Sequence, residues 1–358
     1  MRLRPSACSI TVATALLAGC SGNISGPTPP AAAPSGRPSL SHRHVKPHWR
    51  FPASVIPNLD GAAPGAGDVM ARIAPHANAG GIYVSQFLGT SIFGYAHKNT
   101  PNNPPVCSLG PVSNPNGIAV DRKGNLIDPD GGSYTVIVFA GPGSCGSKVG
   151  SFTDPFGQPT DAASADAVNG QIAVANVFGP SAYDAAGSIS MCTLAGGCTT
   201  NLQNSAMYEV AGVAMDNHGN CWADATNGSG AATLTYFAGC AGSGQPATGF
   251  LNAYYGGLDF DRSGNLMTVS AFDSKIYIYS GCDPSCTLVG GPFPMLNEAV
   301  YGHLNKESMT LCTADFELGQ IDVYYYSPSA VTYWYGFNNG LNMANVVVGC
   351  AYNPRSRG

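Results

Sequence analysis

Three stretches of the chain repeat one order of apolar and polar positions. Gly117-Ile118-Ala119-Val120-Asp121-Arg122-Lys123-Gly124-Asn125 matches Gly212-Val213-Ala214-Met215-Asp216-Asn217-His218-Gly219-Asn220 and Gly257-Leu258-Asp259-Phe260-Asp261-Arg262-Ser263-Gly264-Asn265. The last two lie 45 residues apart (212 to 257), and a degenerate copy, Gly302-His303-Leu304-Asn305-Lys306, follows after another 45. Each copy reads as a strand, a turn of the Asp-x-x-Gly kind and a second strand. In such a turn the Asp side chain bonds backbone and the Gly takes the left-handed conformation. A third run, rich in β-branched and aromatic residues, follows at 134–139, 232–237, 275–279 and 320–325. With a weaker fourth strand before the next copy, the unit has four strands in about 45 residues, the arithmetic of a propeller blade.

Full units begin near residues 115, 157, 210, 255 and 300. The stretch 81–113 supplies a second and a third strand with no first. The missing strand stands at the other end, where Gly349-Cys350-Ala351-Tyr352-Asn353 matches 117–121. The pattern therefore predicts an all-β fold, a six-bladed β-propeller of four-stranded blades spanning 80–358. Its C-terminal strand completes the N-terminal blade, which removes the open sheet edge of a linear array.

The repeated phrases resemble those of NHL-type propellers and, more loosely, the SMP-30/gluconolactonase group, over roughly 80–354. The resemblance implies an architecture rather than a function, because propellers host binding and catalysis alike. Unit three (159–174) and unit six depart from the phrase by lacking the Asp-x-x-Gly turn.

The first 79 residues have a different composition. Arg2 and Arg4 precede an uncharged apolar run containing Ile10, Val12, Leu16 and Leu17, too short to span a bilayer and of signal-peptide form. It ends in Leu17-Ala18-Gly19-Cys20, which resembles the lipobox of bacterial lipoproteins. That implies removal of residues 1–19, lipid on Cys20 and attachment to a membrane of the cell envelope. Residues 20–79 read as a tether. Their stretch 26–34 is rich in Pro and Ala and suits extended polyproline II. It is followed by His42, Arg43, His44, Lys46, His48 and Arg50, which read as a solvated basic spacer, with metal capture and attraction to anionic headgroups as the alternatives.

Losing Arg2 and Arg4 turns 16 basic residues into 14 against 21 acidic, a net of −7. This argues against nucleic acid as a partner. Ten cysteines remain after Cys8 and Cys20, and in an exported chain an even number reads as disulfides. Cys192 with Cys198, and Cys282 with Cys286, are close enough to close small loops.

Any pocket should draw on the loops leading into each first strand and those between second and third strands. The candidate face comprises Asn116, Asp161, Glu209, Tyr254, Tyr255, Glu298 and Tyr301. Tyr208, Tyr254, Tyr255 and Tyr301 recur just before first strands, where large rings suit packing between blades and equally suit stacking on sugars or anchoring a protein segment. No catalytic motif stands out. His303 reads as a core histidine and His218 as a solvated turn residue. The reading is a monomeric binding module for a protein or a glycan, without a cofactor. Its alternative is a metal-dependent hydrolase or lactonase of SMP-30-like type, with Ca²⁺ over the axis. There Asp161, Glu209 and Glu298 would have to converge.

Overall fold

The computed structural model describes residues 80–96, 103–141, 147–164, 170–180, 186–251, 257–342 and 345–353. The expected signal peptide, Cys20, the tether, Tyr254 and Tyr255 lie outside them. Six antiparallel sheets of four strands stand around an axis, as the repeat predicts. The fold is a six-bladed β-propeller.

From the axis outward, blade one holds β24 (Val346–Tyr352), β1 (Gly80–Phe87), β2 (Ile92–Ala96) and β3 (Cys107–Leu109). Blade two holds β4 (Ala119–Val120), β5 (Leu126–Asp130), β6 (Thr135–Phe139) and β7 (Lys148–Thr153). Blade three holds β8 (Pro159–Ala163), β9 (Gln171–Asn176), β10 (Ser188–Thr193) and β11 (Gly197–Leu202). Blade four holds β12 (Glu209–Met215), β13 (Cys221–Thr226), β14 (Ala232–Phe237) and β15 (Gln245–Pro246). Blade five holds β16 (Leu258–Phe260), β17 (Leu266–Ser270), β18 (Lys275–Ser280) and β19 (Thr287–Pro294). Blade six holds β20 (Ala299–Leu304), β21 (Thr310–Asp315), β22 (Gln320–Ser327) and β23 (Ala330–Phe337).

The repeated turns form as their residues dictate. Asp121 Oδ1 accepts the backbone N–H groups of Lys123 and Asn125 at 2.8 Å, while Asn125 Nδ2 donates to Oδ2. Asp216 and Asp261 do the same for their own turns. Gly124, Gly219 and Gly264 carry φ of 86°, 82° and 79°, a region costly for a residue with a Cβ. Blade six corrects the expectation that its turn is lost. Asn305 Oδ1 accepts the N–H groups of Met309 and Thr310, and Ser308 takes the left-handed position at φ 52°. A side-chain amide oxygen replaces the carboxylate there, so the turn survives without its signature. We call this side of the ring the turn face and the opposite side the loop face.

Stability resides between blades. Six clusters of buried apolar side chains lie between neighbouring sheets, for example Tyr83, Ile92, Ile118, Leu126 and Phe139 between blades one and two. Closure is both hydrogen-bonded and covalent. β24 pairs with β1 from Ile82↔Tyr352 to Phe87↔Val346, and buried Cys350 is bonded to Cys312 of blade six. Cys192–Cys198 joins β10 to β11, Cys282–Cys286 closes a small loop, and Cys221–Cys240 ties the start of β13 to the loop after β14. Cys107 is also disulfide-bonded. No helix among the described residues is long and apolar enough to cross a membrane.

Candidate functional site

The innermost strands crowd the axis, so small residues line it. Two residues before the turn, the copies carry Ala119, Ala214 and Ala351, and blade three carries Ala163 at the matching pair position. Blades five and six break the rule with Asp259 and His303, which pair across to Met267 and Cys312. A level nearer the loop face, Gly117, Gly212, Gly257 and Gly349 leave space, and blade three supplies Asp161 instead. Three ionisable side chains from blades three, five and six, Asp161, Asp259 and His303, therefore face an axis whose remaining positions at these levels are Ala and Gly, apart from Tyr301 of blade six.

Their contacts are specific. Asp161 is buried, and its Oδ2 accepts the Val213 N–H at 3.0 Å while Oδ1 has no hydrogen-bond partner. Burial pushes the Asp161 pKa up to about 7, against the pull of His303 and of the Val213 and Ala162 N–H groups, with a further push from Asp259. His303 Nδ1 lies 3.4 Å from Asp259 Oδ2, which also accepts the Leu304 N–H at 2.9 Å. Burial alone would lower the His303 pKa, but Asp259, through its hydrogen bond and charge, and Asp161 outweigh it, and the net shift is upward. Its Nε2 is buried with no hydrogen-bond partner. The side chains of His303 and Asp259 are 12% and 30% exposed, so solvent reaches the cluster from the turn face.

The other end is stoppered. A bulge in β20 between Val300 and Gly302 holds Tyr301 at φ 44°. The Tyr301 hydroxyl shares a 2.6 Å hydrogen bond with Thr160 Oγ1 of the opposite blade. A Cβ placed on Gly117 would come within 2.5 Å of Asp161 Oδ1 and 2.9 Å of Tyr301 Cδ1, so glycine there is a packing requirement.

The expected face residues separate in space. Tyr301 is 1% exposed, which corrects its assignment to a binding face: the bulge turns its ring across the axis. Asn116 is buried beneath the loops, its carbonyl accepting from Ser85 Oγ. Asp161 lies on the axis. Glu209 begins β12 opposite Thr226, and Glu298 is half-buried just before β20. Among the described residues, the one set of three potential ligand atoms within 4.8 Å of one another is Asp154 with Cys192 and Cys198, and those cysteines form a disulfide. Asp161, Glu209 and Glu298 make no such set, because Asp161 lies along its strand at the level of Gly212, three residues beyond Glu209, which starts β12. Asp161 faces His303 and Asp259 instead, which departs from the all-oxygen ligand set expected for Ca²⁺.

Two features escaped the sequence reading. Asp259 and His303 occupy the level that is Ala in other blades; Asp259 shows this on aligning the phrases, whereas His303 does so only in the strand pairing, one residue out of step with the 45-residue repeat. The loop face also carries exposed apolar side chains over four successive blades: Tyr208 (37%), which the sequence marks for this face, with Phe272 (41%), Leu318 (44%) and Leu88 (44%), which it does not. Asp273, Glu317 and Glu209 are their chain neighbours. His218 is 87% exposed in its turn, the solvated residue expected.

No family-level sequence profile and no curated protein matches the chain. Solved structures do resemble it. A protein of unknown function from Bacteroides caccae superposes with a TM-score of 0.57 at 11% identity, covering 78% of this chain and 99% of the other. A chain of a nidogen/laminin complex gives 0.55 at 13%, with the same coverage. A putative 6-phosphogluconolactonase from Bacteroides fragilis gives 0.52 at 12%, again covering 78% and 99%. At such identities the likeness is one of fold, and it spans binding complexes and putative enzymes alike.

Proposed function

We propose that the chain is an exported lipoprotein, anchored through Cys20, whose propeller is a binding module for a protein or glycan ligand. The observation that carries this reading is the arc of Tyr208, Phe272, Leu318 and Leu88 on the loop face. One exposed apolar side chain on the same face of each of four successive blades, three of them beside a carboxylate, suits an interaction surface. The NHL-type likeness of the repeated phrases suits this use of a propeller face. The test is capture of envelope components by the native protein and by a Phe272→Asp/Leu318→Asp variant. A genuine ligand is held by the first and lost by the second at unchanged thermal stability. Equal capture by both refutes the assignment.

The hydrolase reading retains one supporting observation, the partnerless Nε2 of His303 beside Asp259 and Asp161. An imidazole oriented by a carboxylate is the arrangement of a general base. This base is a different group of residues from the Asp161, Glu209 and Glu298 set expected for Ca²⁺. Hydrolysis of aliphatic lactones that disappears in a His303→Ala variant would favour it over the binding reading.

A further inference from the structure

The cations of the ring are sorted by face. Of the six Lys and Arg among the described residues, Arg122, Lys123, Lys148, Arg262 and Lys306 lie on the turn face or at a strand end opening onto it. Lys275 alone starts a strand from the loop face, and it is paired there with Asp273 at 3.3 Å. Arg122, Lys123, Arg262 and Lys306 occupy the tips of the repeated turns and are exposed. Acidic groups on this side are arranged differently. Asp121, Asp216 and Asp261 turn inward and are held by the N–H groups of their own turns. Glu307 is half-buried, and Asp283 is exposed in the loop before β19. Cations therefore project from the turn tips while most carboxylates are drawn back beneath them.

Both ends of the ring's chain lie on this side. β1 starts at Gly80 beside the end of β24, and the Asn353 N–H donates to the Gly81 carbonyl. In sequence, Arg355 and Arg357 follow Asn353, and the stretch joining the ring to Cys20 carries Arg43, Lys46 and Arg50.

We propose that the turn face docks on the anionic surface of the membrane, so that the loop face with its apolar arc points away from the bilayer. The inference rests on the lipid-anchor reading for its setting and on the sorted cations for its orientation. A tether of some 60 residues, at most about 3.3 Å each, would by itself leave the ring free to tumble. Lys and Arg near an anionic leaflet each add attraction that falls off within a Debye length, about 10 Å at 0.1 M salt. Several cations on one face are what such a field orients. The loop-face carboxylates are then farthest from the surface, and those of the turns, with Asp259, are held by backbone N–H groups behind the projecting cations.

The test uses the chain carrying Cys20→Ser, so that no lipid contributes, in sedimentation with vesicles of phosphatidylcholine alone or mixed with phosphatidylglycerol. Binding is expected only to the anionic vesicles and is expected to fall as salt is raised. Arg122→Glu/Arg262→Glu/Lys306→Glu should weaken it on the order of tenfold or more, with an unchanged melting temperature. Arg43→Ser/Lys46→Ser/Arg50→Ser should leave the greater part. Equal binding to both vesicle types overturns the proposal. So does a turn-face variant that binds like the parent, or binding that vanishes with the tether variant alone. Mass spectrometry of the native protein for diacylglycerol on Cys20 is read separately. An unmodified Cys20 with intact vesicle binding would sink the anchor and spare the docking face.

Discussion

Replacing Cys312 and Cys350 with Ala tests how the ring is held shut. The disulfide joins β21 of blade six to β24, the strand that completes blade one, across a sequence separation of 38 residues. In the chain-entropy description, closing a loop of that length removes roughly 13 cal/mol/K from the unfolded ensemble, which is about 4 kcal/mol at 25 °C. The same relation applied to Cys192–Cys198, with a separation of 6, yields only about 2 kcal/mol. At about 2 °C per kcal/mol for a domain this large, the Cys312→Ala/Cys350→Ala variant should melt about 8 °C below the parent. The Cys192→Ala/Cys198→Ala variant should fall by about half as much. Location adds a second criterion. Without the bond, β24 is held by its ladder to β1 and by packing, so its backbone amides should exchange faster while those of β13 stay protected. Calorimetry of both variants with hydrogen exchange resolved to Val346–Tyr352 checks both. If the two variants lose equal stability, or if exchange at β24 is unchanged, the bond is not the latch described.

Three further outcomes follow from the axis. The carboxyl of Asp161 has its pKa raised from 3.8 to about 7, so the folded state binds its proton more tightly than the unfolded state. Its contribution is complete below 3.8 and is lost as pH rises through about 7. The upward shift of His303 acts in the same direction from 6.5 upward. Melting temperature should therefore fall between pH 4 and pH 8, and Asp161→Asn should flatten that profile and melt above the parent at the alkaline end. Tyr301→Phe leaves Thr160 Oγ1 unpaired in the interior and should cost about 1–3 kcal/mol in urea denaturation. Gly117→Ala forces its Cβ against Asp161 and Tyr301 and should cost about 1–3 kcal/mol by overpacking, whereas Gly228→Ala, which meets nothing within 4 Å, should be nearly neutral.

Local chemistry made the architecture legible. The Asp-x-x-Gly phrases spell a turn between two strands, and their recurrence spells blades, because a single sheet cannot bury its faces without a neighbour. The half-unit at 81–113 and the orphan strand at 349–353 revealed the closure for the same reason: an unpaired strand needs a partner. Strand limits followed, as at Ala232–Phe237, where β-branched and aromatic residues cluster. The axial cluster left a partial trace: Asp259 stands where other copies carry Ala, while the 45-residue register sets His303 against Leu258.

What the linear order could not convey was direction and depth. Tyr301 read as one of a series of face tyrosines, and only the bulge in β20, set by pairing with β21, turns it across the axis to Thr160. Asp161 and His303 are 142 residues apart in the chain (161 to 303) and meet because a closed ring of six brings opposite blades together. The same closure sorts the cations of the turns onto one side and the apolar arc onto the other. Turns and strands are decided by neighbours in sequence, but which side chains share an axis or a face depends on how the sheets close around it.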